Sequence, residues 1–155
     1  MTVPPPALDC AHTIEYAIVD DTVAFEQRHT LNVGGEWLGP VPKLAICRNL
    51  DETELVVFHC DTEWNVLGVA AGYNSVEDAK AKIERSYHGL ASRWISSGYS
   101  RDEAASYVAE QFKGEECSFC GRSPLQCQSI VTGKTARICN HCVDKYYQAT
   151  RREET

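Results

Sequence analysis

The sequence predicts an α+β protein: an antiparallel β-meander with two helices, followed by a small four-cysteine module. Three observations lead there. Short β-rich runs separated by turn residues fill residues 13–70, and two capped helical patterns follow over residues 75–112. Five of the eight cysteines then crowd into the 26 residues from Cys117 to Cys142.

The length of 155 residues suits a domain of about 110 residues with a small module attached. A composition of 43% hydrophobic and 24% charged residues excludes a disordered or fibrous chain. No apolar run approaches the roughly 18 residues a membrane helix needs. The start, Met-Thr-Val-Pro-Pro-Pro, lacks a basic region and an apolar stretch, so no secretory signal is expected. A cytoplasmic location follows as the expectation, and with it cysteines used as metal ligands and free thiols rather than disulfides. A net charge of -7 argues against a protein that coats DNA or RNA.

Along the chain, residues 1–12 contain Pro4-Pro5-Pro6 and read as an extended lead-in to a domain over 13–114. Thr13–Val19 alternates apolar with small or polar residues, the period of a half-buried strand. Asp20-Asp21 turns the chain into a second extended stretch within 22–33, including Val23 and Phe25. Gly34-Gly35, Gly39, Pro40 and Pro42 break it into a loop carrying Trp37. Residues 43–48, 54–60 and 64–70 read as three further strands with short links, which completes the five-stranded meander. Ser75 and Asp78 then form a helix start, and Val76, Ala79, Ile83 and Tyr87 mark one apolar stripe before Gly89. Trp94-Ile95 is expected to pack back on the sheet. Ser100 and Glu103 form a capping box for a helix through Phe112, with Ala104, Val108 and Phe112 on one face. The two helices are expected to cover one face of the sheet.

Four of the clustered cysteines read C-x2-C-x18-C-x2-C: Cys117 and Cys120, then Cys139 and Cys142. Zn²⁺ takes four soft donors in a tetrahedron, and two such pairs at this separation complete one structural site. The alternatives are four free buried thiols, or a redox pair that would need a βαβ context not visible here. Cys127 has the wrong spacing for either knuckle. His141 lies between two ligands and should point away, a swap of ligands being the alternative. A hairpin turning at Thr132–Thr135 and a short helix after Cys142 make a treble-clef-like finger over 115–149, with 150–155 as a tail.

The residues Cys117-Ser118-Phe119-Cys120-Gly121, Ser123, Ile130, Gly133, Ile138-Cys139 and Cys142-Val143-Asp144 resemble the N-terminal zinc-binding domain of the bacterial unfoldase ClpX. The resemblance covers residues 115–148. It implies one structural zinc held by Cys117, Cys120, Cys139 and Cys142, and a domain that dimerises and docks adaptor or substrate peptides. Phe119, Ile130 and Ile138 would then serve a small core or a docking face. The ATPase of that family has no counterpart here. Gly133-Lys134-Thr135 lacks the preceding glycine of a phosphate loop, Gln128 standing in its place, and it reads as a turn. Unfoldase activity therefore does not carry over.

Residues 1–116 hold 9 basic and 19 acidic side chains, whereas residues 117–155 hold 6 and 3. With four zinc-bound thiolates the finger stays near neutral, a poor clamp for nucleic acid. No catalytic constellation is visible. His59 and Cys60 are neighbours on one strand and point to opposite faces. Glu52, Glu54, Asp61 and Glu63 read as a charged loop, and Trp37, Trp64 and Trp94 as core anchors or, where exposed, contact residues. The sequence thus predicts a non-catalytic, cytoplasmic interaction protein, a bacterial accessory factor acting as adaptor or toxin-immunity protein. Its partner would be another protein, a basic toxin or a substrate of an unfoldase or protease, with docking at Phe119, Ile130, Ile138 and Trp37 and a homodimer through the finger as a further expectation. The competing readings are a nucleic-acid binder using Arg122, Lys134, Arg137, Arg151 and Arg152, and an enzyme with a site in the N-terminal sheet. A deep pocket holding a strongly perturbed histidine or carboxylate would favour the enzyme.

Overall fold

The computed structural model describes residues 2–153. The strands are β1 (Ala7–Leu8), β2 (Ala11–Ile18), β3 (Ala24–Phe25), β4 (Asn32–Val33), β5 (Glu36–Trp37), β6 (Lys43–Asn49), β7 (Leu55–Cys60) and β8 (Val66–Tyr73). Helix α1 (Val76–Glu84), strands β9 (Tyr87–His88) and β10 (Ile95–Ser96) and helix α2 (Arg101–Gln111) follow. A 3-10 turn (Pro124–Gln126), β11 (Ile130–Thr132), β12 (Arg137–Cys139) and α3 (Asn140–Glu153) complete the chain. The fold is α+β. It divides into two compact units, and the division falls inside α2 between Tyr107 and Val108.

The first unit is built on one antiparallel sheet in the order β1-β2-β6-β7-β8, with β10 pairing the free stretch of β2. Register shifts at Thr13/Glu15, Leu55/Val56 and His59/Cys60 bend the strands, and the sheet curls into a half-barrel. The central strands β6 and β7 are buried on both faces. Their continuous apolar runs, Leu44-Ala45-Ile46-Cys47 and Leu55-Val56-Val57-Phe58, are the sequence signature of two-sided burial. Leu44, Ile46, Leu55 and Val57 face one cluster, closed by Ala79 and Ile83 of α1 with Tyr87 and Leu90. Ala45, Cys47, Val56, Phe58 and Cys60 face the other, with Leu8, Tyr16 and Trp64.

Lys43 is buried on that second face, its Nζ donating to the Thr62 carbonyl at 2.5 Å and lying 4.8 Å from the centre of the Trp64 ring. The cation keeps a hydrogen bond and a π face in place of water, which is what burial of an ammonium requires.

Three expectations change in the folded chain. The second extended stretch does not join the meander. It breaks into β3, which pairs β9, and β4, which forms its own hairpin with β5. Gly34 and Gly35, both at positive φ, make that tight hairpin, so its hydrogen bonds close locally rather than on the sheet. Trp64 does not begin the last strand: at φ +68 it belongs to a turn in which the Asp61 carboxylate accepts from the amides of Glu63 and Asn65. The strand starts at Val66 and runs on to Tyr73. The helix from Ser75 ends at Glu84, so Tyr87 reaches the core from β9.

Both helix starts hold as read. Ser75 Oγ accepts from the Asp78 amide at 3.0 Å, and Ser100 and Glu103 exchange bonds in a full box. Helix α1 sits on the sheet; α2 has Ala104 and Val108 buried but contributes to neither of the two sheet clusters. Trp94 packs on the α1 side and Ile95 pairs with Tyr16. The lead-in is docked: Pro4 is buried, and Thr13 donates from its amide to Pro6 and from its hydroxyl to Pro5. The β4–β5 hairpin lies close over β8, where a Cβ on Gly68 would come within 2.9 Å of Leu31 Cδ2 and 3.1 Å of Val33 Cγ2. No helix among the described residues is long and apolar enough to cross a membrane.

His59 lies on β7, its ring 6.4 Å from that of Tyr87. Its Nδ1 is buried without a hydrogen-bond partner. Burial lowers its pKa from 6.5 to about 4, with the Val57 backbone opposing weakly. The unfolded chain therefore binds a proton at a pH where the folded chain does not, so this contribution is complete above about 6.5 and is lost as pH falls toward 4. Urea midpoints should drop between pH 7 and pH 5, above the titration of ordinary carboxylates. In His59→Phe most of that drop should vanish; an unchanged slope would place the acid sensitivity elsewhere.

Candidate metal centre

The second unit contains the four-cysteine finger. Cys117 and Cys120 form a knuckle closed by the Gly121 amide donating to the Cys117 carbonyl at 2.9 Å, with Gly121 at φ +77 where a side chain would be strained. The knuckle is tied to the hairpin: the Ser118 amide donates to the Arg137 carbonyl, and the Arg137 amide returns to Ser118 Oγ at 2.9 Å. Strands β11 and β12 pair antiparallel with Thr132 opposite Arg137, and the Gly133 amide bonds the Ala136 carbonyl across the turn. Cys139 ends β12 and Cys142 lies in the first turn of α3. The chain is held there by the Asn140 side chain, which accepts from the amides of Gln128 and Ser129.

These elements bring the sulfurs of Cys117, Cys120, Cys139 and Cys142 within 4.8 Å of one another. Cys117 and Cys142 lie 3.8 Å apart and Cys120 and Cys139 3.6 Å. A tetrahedron with Zn–S bonds of about 2.3 Å has S–S edges of about 3.8 Å. The four cysteines are thus positioned to bind one zinc ion.

Proton binding differs among the four sulfurs. Burial opposes ionisation of Cys117, but the amides of Cys139, Cys120 and Phe119 outweigh it and hold the thiol down to about 6. Burial and then the neighbouring sulfurs push Cys142 up to about 12. Four adjacent thiolates ionise together only around a cation. Arg122 Nη1 lies 3.4 Å from Cys120 Sγ and offsets part of the charge that remains on a Zn–thiolate centre.

Other residues singled out by the sequence fall in varied places. Cys127 is half-buried beside the cluster, donates to the Ser123 carbonyl, and is not among the four. His141 is exposed and away from the sulfurs. Ile130 and Ile138 pack against the cysteines, so they form the small core rather than a free surface. Phe119 is 56% exposed and stands 5.5 Å from the ring of Tyr146. Trp37 is half exposed on β5 in the first unit, edge-on to His29. Gly133-Lys134-Thr135 is the hairpin turn.

Tyr146 was missed as a partner of Phe119, although its position four residues after Cys142 places it on the ligand face of α3. The capping roles of Asn140 and Gln126 were missed as well, because both act through folded backbone.

Outside the finger, the two buried thiols of the first unit, Cys47 and Cys60, are inert. Burial raises Cys47 well above its usual range and Cys60 to about 12, so neither supplies a nucleophilic thiolate. Asp61 caps the Trp64 turn, and His12 bonds the Tyr99 carbonyl at 2.7 Å.

The purified chain should contain one zinc per molecule by elemental analysis. Cys117→Ser or Cys142→Ser should lose the metal and unfold the finger while leaving the first unit folded, and Cys127→Ser should retain it. Equal zinc in wild type and Cys142→Ser would overturn the ligand set.

The comparison with known families agrees with this geometry, and no solved structure matches the chain. Residues 115–151, about a quarter of the sequence, match the family model of the ClpX C4-type zinc finger, and this C-terminal segment is a zinc finger of the ClpX type.

Proposed function

We propose that the chain is a non-catalytic interaction protein whose zinc finger docks another protein, as an adaptor or toxin-immunity factor in a bacterial cytoplasm. The observation that carries this reading is the apolar surface of the finger. Its core consists of three buried cysteines with Cys127, Ile130 and Ile138 against them. Six larger apolar or aromatic side chains, Phe119, Leu125, Val131, Val143, Tyr146 and Tyr147, are left 42–63% exposed. Aromatic side chains concentrated on a surface that does not need them for its own core are the usual anchors of protein contacts. A second copy of the finger is one occupant of such a surface, and a peptide of a partner protein another.

Two observations support this reading over its rivals. Of the basic residues considered for phosphate contacts, Arg122 is turned to Cys120 and Arg151 to the Tyr147 ring and hydroxyl. For catalysis, a cavity of about 460 Å³ in the first unit does contain His59, but no carboxylate and no cysteine lines it. An imidazole with a pKa near 4, in a cavity lined by neither a carboxylate nor a thiol, is poorly matched to acid–base work near neutral pH.

The test is affinity capture from source lysate with wild type, Cys142→Ser and the double variant Phe119→Ala/Tyr146→Ala, followed by titration of the purified retained protein. Retention of one stoichiometric protein by wild type is expected. The double variant should weaken its binding by roughly 30-fold with zinc content unchanged. No retained protein, or retention abolished by nuclease, would overturn the reading.

A further inference from the structure

The first unit carries an unusual distribution of charge around one cavity. Residues 1–116 hold 9 basic against 19 acidic side chains. Three of those nine cations, Arg28, Lys82 and Arg85, line the 460 Å³ cavity, and no carboxylate does. Its size falls in the range of small-molecule sites. The cavity lies between the β3-to-β5 segment, β8 and the end of α1. Its apolar wall is formed by Phe25, Leu31, Leu38, Ile83 and the rings of Tyr73 and Tyr87. His59 lines it too.

Two of the cations are partly balanced from outside the lining. Arg28 pairs with Glu26 at 3.2 Å, and Lys82 with Asp78 at 3.1 Å while lying over the Tyr73 ring. Arg85 makes no ion pair within 4.0 Å among the described residues.

We propose that this cavity is a binding site for a small organic carboxylate with an apolar or aromatic body. Its carboxylate is met by Arg85 with Lys82 and Arg28, and its body lies against Phe25, Leu31 and Ile83. The guanidinium fork matches a carboxylate in two parallel hydrogen bonds. A phosphate is less suited, because Lys82 and Arg85 stand at the C-terminal end of α1, where the backbone carbonyls carry partial negative charge that opposes a dianion. His59 is neutral near pH 7 and so adds no fourth cation to the lining. The site is independent of the finger and of its docking role.

The test is calorimetric titration of the full zinc-loaded chain with 4-phenylbutyrate, its alcohol 4-phenylbutanol, and phenyl phosphate. The acid should bind at least about tenfold more tightly than the alcohol. Arg85→Met should remove roughly that preference, and Arg85→Lys should restore part of it. Arg85 is exposed, so the variants should keep the wild-type Tm, which serves as the control for folding. Equal binding of acid and alcohol, no binding of either, or an Arg85→Met chain that binds the acid like wild type would overturn the site. Tighter binding of phenyl phosphate would overturn the carboxylate assignment.

Discussion

Four thiolates held within 4.8 Å of one another repel, and the finger depends on a divalent cation to reverse that repulsion. The rest of the module follows from serving this one centre. The Gly121 knuckle, the Ser118–Arg137 exchange and the Asn140 clamp each fix a segment that presents a sulfur. A metal replaces the buried apolar area that so short a chain cannot collect. Because the metal holds the fold, Phe119, Val143 and Tyr146 are not consumed by a core and remain on the surface. Structure and proposed function are linked at that point: a metal-centred core leaves aromatic side chains free for a partner.

The first unit solves the same problem without metal. Its two central strands bury both faces, so each residue of Leu44–Cys47 and Leu55–Phe58 contributes to one of two clusters. Two-sided burial makes the sheet stable enough to carry less regular pieces at its margin. The β4–β5 hairpin rests on β8 at Gly68, where the missing Cβ lets Leu31 and Val33 approach. The segment before that hairpin and the end of α1 leave a cavity between them, and three of the nine cations of residues 1–116 line it.

Much of this was legible from residue order. Serine caps at 75 and 100, the continuous apolar runs of β6 and β7 and the cysteine spacing each carry their information within a few residues. Other features were not. Val23 and Phe25 have strand-like character, yet Phe25 pairs with Tyr87 of the distant β9 and not with the sheet, a partner that residue order does not reveal. Trp64 has high strand propensity, yet the Asp61 turn holds it at positive φ while its ring fills the core beside Tyr16. At Trp64 a hydrogen-bonded turn outweighed propensity.

The sequence by itself determined the metal and its ligands, because coordination chemistry accepts few donor types and spacings, and C-x2-C pairs satisfy it locally. It also determined the α+β class, since strand and helix periods differ and can be counted along the chain. Only the tertiary structure decided that Ile130 and Ile138 are core while Phe119 joins Tyr146 at the surface. Only it placed Arg28, His59, Lys82 and Arg85 around one cavity. Those residues are up to 57 positions apart, and no local rule of spacing relates them. Their meeting is set by strand register and by where a hairpin and a helix end come to rest.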